Sequence, residues 1–153
     1  PICFYGPMGY DIGNVIANMI FAWANGDAAG AADFCKWVED VLVDVINMTR
    51  EKMEKYYDEH VTDTMCKNEL YKKYYMDTII EDTSAVTGLE MIRRIVGMAN
   101  VKDITTIADE AKRARAEKIC ITAAIDFIKN RNDKKCGKCF LKTLTDAIAE
   151  VDA

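Results

Sequence analysis

The stretch Ile12–Trp23, IGNVIANMIFAW, decides the class of fold. Its apolar residues recur at intervals of three and four, the spacing that places side chains on one face of an α-helix. They are Ile12, Val15, Ile16, Met19, Ile20 and Trp23. Asn14 and Asn18 interrupt the run, which is shorter than the roughly 18 to 20 apolar residues that span a bilayer. The stretch therefore predicts a helix packed on a protein core and no transmembrane segment.

The same periodicity continues after this first helix. Gly26 suits the left-handed position that ends many helices, so the first helix should stop there. The second helix should run from about Ala29 to Glu59, carried by another apolar stripe. Thr62 or Asp63 should cap the third helix, because their side chains can accept hydrogen bonds from its first free amides.

The segment Glu81–Ser84 is rich in residues that cap helices, and it predicts a connection in the middle of the chain. Beyond it, Leu89 belongs to a fourth helix, Asp103 caps a fifth and Cys136 opens a sixth. Both prolines lie within the first seven residues, so none interrupts a helix from inside. No segment alternates convincingly between apolar and polar residues. We therefore predict an all-α fold of about six helices.

The domain organisation predicted is a single helical domain over residues 1–153, since a chain of this length can bury a sizeable core. The order of predicted helices suggests two similar three-helix halves, residues 10–82 and 85–152. Ile20–Asn25 can be aligned with Ile95–Asn100 at an offset of 75 residues. Internal duplication and chance similarity both explain so short a match.

Six cysteines dominate the chemistry of the chain: Cys3, Cys35, Cys66, Cys120, Cys136 and Cys139. An even count at this density is typical of disulfide-bonded secreted proteins. The start at Pro1 and the glycosylation pattern Asn47-Met48-Thr49 also favour a secreted, extracellular protein. We therefore predict that disulfides connect the helices. Cys136 and Cys139 form a CxxC motif, so a redox-active dithiol or half of a zinc site is the alternative.

Catalytic chemistry is not predicted. The chain contains no glycine-rich phosphate loop, zinc-protease motif or nucleophile elbow. Its one histidine, His60, has no partner that sequence marks as a nucleophile. We predict a protein that is not an enzyme and that has no cofactor and no metal. The net charge of −5 also argues against nucleic acid as a partner.

Aromatic residues in the first half of the chain are the candidate ligand-binding residues. Tyrosine and tryptophan recur in binding pockets because they combine a large apolar surface with a polar group. The candidates are Trp23, Trp37, Tyr56, Tyr71 and Tyr74. They predict a cavity for a small hydrophobic ligand, and the alternative is that they form an ordinary helix-bundle core.

The unit Cys35…Tyr56/Tyr57…Cys66 resembles the bicycle proteins, secreted effectors of aphids that are named for two Cys…Tyr…Cys units. The second unit would be Cys120…Cys136, which contains no tyrosine. The resemblance implies a secreted effector or interaction protein that binds a macromolecular partner. A carrier of a small hydrophobic ligand is the first alternative function, and an intracellular thiol or zinc protein that uses the CxxC motif is the second.

Overall fold

The computed structural model describes residues 6–153, and over that range it contains six α-helices and no strand. The helices are α1 (Gly9–Ala28), α2 (Ala32–His60), α3 (Glu69–Ile95), α4 (Lys102–Thr105), α5 (Glu110–Lys129) and α6 (Gly137–Asp152). A short 3₁₀ turn, Arg131–Asp133, joins α5 to α6. The predicted all-α class is confirmed.

The core is built around α1, which packs against α2, α3 and α5. Ile16, Ile20 and Phe21 on α1 are completely buried, as the apolar stripe predicts. On the far side of the core, Phe127 of α5 and Phe140 of α6 pack with their ring centroids 5.3 Å apart. Burying such side chains is the main favourable contribution to folding, at about 1.5–3 kcal/mol for a large apolar side chain. No described helix is both long and apolar enough to cross a membrane.

Two helices begin at capping residues that differ from the predicted ones. The Asn68 side chain accepts hydrogen bonds from the amides of Leu70 and Tyr71, so Asn68, and not Thr62 or Asp63, caps α3. Asp109 does the same for α5. Asp103 lies instead inside the four-residue helix α4. The choice among several cap-like residues depends on where neighbouring helices allow the chain to turn.

The predicted connection at Glu81–Ser84 is wrong, because α3 runs through it without a break. The hydroxyls that could accept hydrogen bonds as helix caps donate to backbone carbonyls instead. Thr83 donates to the Ile79 carbonyl one turn earlier at 2.9 Å, and Ser84 donates to the Phe127 carbonyl on α5 at 2.8 Å. The boundary between the predicted halves, 10–82 and 85–152, therefore falls inside one helix.

Glycines allow close helix contacts and one sharp turn. A Cβ on Gly88 would lie 2.5 Å from the Ala124 carbonyl oxygen, so α3 and α5 could not approach this closely with a larger residue. Gly26 does not end α1, which continues to Ala28. The left-handed residue is Gly30, at φ +74°. The turn thus comes four residues later than predicted.

The predicted disulfides are absent from the described part of the chain. Cys35, Cys66, Cys120, Cys136 and Cys139 are all free thiols, and Cys3 lies outside the described residues. Two of them, Cys35 and Cys120, are buried as small apolar side chains within the core. Helix packing therefore holds residues 6–153 together.

Candidate functional site

An aromatic pocket of about 500 Å³ lies where the end of α2 meets the start of α3. Two of the five predicted ligand-binding residues, Tyr56 and Tyr71, line it. Its other lining residues are Met8, Met53, Tyr57, His60, Val61, Thr62, Asp63, Cys66, Tyr75 and Met76. Three thioethers and four phenol rings make this pocket predominantly apolar.

The pocket rings are held by contacts with one another. Tyr56 stacks on His60 with centroids 4.0 Å apart, and Tyr71 stacks on Tyr75 at 6.3 Å. The Tyr57 hydroxyl donates to the Cys66 carbonyl at 2.7 Å, which ties the loop after α2 to that helix. His60 therefore serves as a stacking partner at the pocket wall.

The other three predicted ligand-binding residues do not reach this pocket. Trp23 is only 4% exposed and donates its indole N–H to Glu39 at 3.1 Å, so it is part of the core. Trp37 is 60% exposed on the outside of α2. Tyr74 is exposed on α3. The three residues lie on three different helices, α1, α2 and α3, and aromatic character alone does not predict which of them faces a pocket.

A second candidate site is an arginine pair at the C-terminal end of α3. Arg93 and Arg94 both bind the carboxylate of Glu90, one turn earlier on the same helix. Arg93 forms two parallel hydrogen bonds, Nε to Oε2 at 2.7 Å and Nη2 to Oε1 at 2.9 Å. Arg94 donates from Nε to Oε1 at 2.7 Å and from Nη1 to the Ala99 carbonyl at 3.2 Å.

The hydrogen bonds within this cluster favour the charged forms of Glu90 and Arg93. Burial alone would raise the pKa of Glu90, but the hydrogen bonds from Arg93 and Arg94 outweigh it and the pKa is lowered. The same ion pair raises the pKa of Arg93. Glu90 is 6% exposed whereas the Arg93 side chain is 56% exposed. A buried anion therefore orients an exposed cation, which can bind an anionic group from outside.

The two candidate sites lie at opposite ends of α3. Tyr75 and Arg93 are 18 residues apart in the same helix, which corresponds to about 27 Å along its axis. A single small molecule cannot contact both. We therefore treat the aromatic pocket and the arginine pair as separate sites.

The sequence interpretation missed the arginine pair. The signal was present as Glu90 followed by basic residues three and four positions later, the spacing that brings side chains together on a helix. This spacing alone does not indicate a functional site, because the same pattern occurs on many solvent-exposed helices. Only the burial of Glu90 distinguishes it.

Comparison with curated proteins shows that this chain is similar to part of several methylthioribose kinases. No family model matches the chain. Methylthioribose kinase 1 of rice is 33% identical over 147 residues, which cover 84% of this chain and 34% of the relative. The methylthioribose kinase of Escherichia coli is 28% identical over 147 residues, covering 86% of the chain and 35% of the relative. That of Bacillus pumilus is 28% identical over 126 residues. The chain thus spans about a third of the length of the curated relatives it matches.

These relatives overturn the functional predictions. The resemblance to bicycle proteins is wrong, because the similarity to methylthioribose kinases extends over most of the chain and not over one Cys…Tyr…Cys unit. The interpretation as a secreted effector or other non-enzymatic binding protein is wrong for the same reason, and so is the prediction that the chain belongs to no enzyme. The predicted partners, a macromolecule or a small hydrophobic ligand to be carried, are wrong on the same evidence, because the relatives are named as kinases. Extracellular location by itself stays a prediction.

Proposed function

We propose that this chain is the helical part of a kinase that transfers a phosphoryl group from ATP to methylthioribose or a closely similar sugar. The observation that carries the proposal is the similarity to methylthioribose kinases from plants and bacteria over more than four fifths of the chain. Such breadth argues for a shared fold over most of the chain and not for one shared motif.

Phosphoryl transfer requires positive charge near the moving group. The transferred phosphoryl is anionic and gains no covalent help from protein side chains, so kinases work mainly by positioning and electrostatic stabilisation. We assign this role in the described part of the chain to Arg93, with Arg94 beside it. Both guanidiniums are oriented by Glu90 before any ligand binds, which reduces the entropy lost on binding.

The proposal assigns only part of the machinery to this chain. No glycine-rich loop that could surround the nucleotide phosphates occurs in its 153 residues. This chain would therefore contact the phosphoryl group or the sugar acceptor. The nucleotide phosphates would be held by sequence corresponding to the remaining two thirds of the relatives.

A chimeric enzyme tests the proposal. This chain would replace the matching segment of rice methylthioribose kinase 1, and phosphorylation of methylthioribose would be followed with labelled ATP. We expect the chimera to phosphorylate methylthioribose, and to prefer it over ribose. A chimera that shows the circular dichroism and cooperative melting of the rice enzyme but phosphorylates neither sugar would contradict the proposal.

A further inference from the structure

Cys136 and Cys139 stand next to each other at the start of α6. Their sulfur atoms are 3.1 Å apart, and both side chains are partly exposed. A disulfide bond is about 2.05 Å long, so the sulfurs need to approach by only about 1 Å to form one. This pair belongs neither to the arginine pair nor to the aromatic pocket.

The backbone around the pair is fixed by its neighbours. The Gly137 amide donates to the Asn47 side chain on α2 at 2.9 Å, and Gly137 packs so closely on the Val43 backbone that a Cβ would collide with it. Two residues before Cys136 in the chain, the Lys134 ammonium binds the carboxylate of Asp126 on α5 at 2.5 Å. The two thiols are therefore held in place before any reaction.

The surroundings favour a thiolate at Cys139. Burial acts to raise its pKa, but hydrogen bonds from the Cys136 thiol and from the backbone at Lys135 and Cys136 outweigh burial, and the pKa is lowered. Lys134 adds a positive charge nearby. Over residues 6–153 no group of three or more histidine, cysteine or acidic side chains is arranged to hold a metal ion, so no third ligand joins the pair.

The buried cysteines, Cys35 and Cys120, differ from this pair in the direction of their pKa shift and in their exposure. Burial raises the pKa of Cys120 to about 12, and Cys120 is completely inaccessible. Burial also raises the pKa of Cys35, whose thiol donates to the Trp23 carbonyl. Thiols that are protonated and inaccessible do not react with soluble disulfides. They provide internal controls.

We propose that Cys136 and Cys139 form a thiol–disulfide exchange site whose substrate is a low-molecular-weight disulfide of the glutathione type. The Cys139 thiolate attacks one sulfur of the soluble disulfide, forms a mixed disulfide and releases one thiolate. Cys136 then loses its proton and attacks the Cys139 sulfur, which forms the Cys136–Cys139 bond and releases the second thiolate. Two protein thiols are oxidised, and one soluble disulfide is reduced to two thiols. This site is independent of the proposed kinase function.

A redox titration of the 153-residue chain tests the site. The protein would be equilibrated with glutathione buffers of increasing oxidised fraction, quenched with acid and alkylated, and its peptides would be analysed by mass spectrometry. We expect one disulfide between Cys136 and Cys139 as the oxidised fraction rises. Cys35 and Cys120 should be alkylated only after unfolding.

Two variants identify the attacking sulfur. In Cys136→Ser the second step is blocked, so one glutathione should stay bound to Cys139. The serine hydroxyl can still donate to the Cys139 sulfur, and circular dichroism would check the fold. Cys66→Ser is the matched control and should leave the titration unchanged. The proposal is overturned if Cys136 and Cys139 stay reduced in excess oxidised glutathione, if either pairs with another cysteine, or if Cys136→Ser takes up no glutathione while remaining folded.

Discussion

The Glu90 carboxylate accepts two parallel hydrogen bonds from the guanidinium of Arg93, with Nε to Oε2 at 2.7 Å and Nη2 to Oε1 at 2.9 Å. This geometry fixes the plane of the guanidinium as well as its position. Since Arg94 binds the same carboxylate, one buried anion orients two cations at the end of α3. The cluster therefore has consequences both for stability and for the proposed chemistry.

Replacing Glu90 by glutamine should destabilise the protein in a pH-dependent manner. The pKa of Glu90 is lower in the folded chain than its ordinary value of about 4.5, so its stabilising effect is fully present above the unfolded pKa. It is lost as pH falls through the folded pKa. Urea unfolding at pH 7 should show Glu90→Gln to be less stable by about 2 kcal/mol. The same experiment at an acidic pH below 4.5 should show a smaller gap, because Glu90 becomes protonated as the pH falls through its lowered pKa. Glu117→Gln is the control, because its carboxylate is 3.9 Å from Arg113 on an exposed surface. An equal gap at both pH values would contradict this assignment.

Removal of Arg94 should lower the melting temperature more than removal of Arg93. Both arginines bind Glu90, but only Arg94 also donates to the Ala99 carbonyl and so holds the segment after α3. Differential scanning calorimetry of Arg93→Ala and Arg94→Ala measures the order directly. The reverse order would contradict this prediction and would show that the two hydrogen bonds from Arg93 to Glu90 stabilise the protein more than the contact with Ala99 does.

Gly88→Ala should destabilise the contact between α3 and α5. The added methyl group would lie 2.5 Å from the Ala124 carbonyl oxygen and 2.7 Å from the Ile128 side chain, so the helices would have to move apart. Overpacking of this kind costs about 1–3 kcal/mol, which exceeds the gain in helix propensity from glycine to alanine. Leu89→Ala on the neighbouring, exposed position should change stability by no more than about 0.5 kcal/mol. Equal stability of the two variants would contradict the close approach.

The two tryptophans should differ in accessibility. Trp23 is buried and hydrogen-bonded to Glu39, whereas Trp37 is mostly exposed beside Phe34. Acrylamide should therefore quench the fluorescence of Trp23→Phe, which keeps Trp37, several times more strongly than that of Trp37→Phe. Similar quenching in both variants would contradict the burial of Trp23 and the exposure of Trp37.

The sequence predicted the helices well where apolar periodicity is strong and no competing signal occurs. The stripe from Ile12 to Trp23 lies in α1, and the predicted second helix differs from α2 by three residues at its start and one at its end. It failed at Glu81–Ser84, since whether Ser84 caps a helix or donates to Phe127 depends on a helix more than 40 residues away. Local sequence does not contain that information.

The sites were harder to predict than the fold. Tyr56 and Tyr71 line the aromatic pocket, and their role in ligand binding stays a prediction. Aromatic composition could not separate them from Trp23, which faces the core. Arg93 carries the proposed chemistry only because Glu90 is buried, and burial is a property of the tertiary structure. The cysteine count was misleading, because buried thiols such as Cys35 and Cys120 and a local pair such as Cys136 and Cys139 contribute to it as readily as disulfide-bonded cysteines do.

The most direct test of the proposed kinase function is the kcat of the rice chimera after Arg93→Ala. We expect kcat for methylthioribose phosphorylation to fall by about a hundredfold or more, because a positioned charge near the phosphoryl group is lost. Arg93→Lys should recover part of the rate, since lysine keeps the positive charge but cannot form the bidentate hydrogen bonds to Glu90. An Arg93→Ala chimera that folds and turns over methylthioribose as fast as the unsubstituted chimera would contradict the role of Arg93 in phosphoryl transfer.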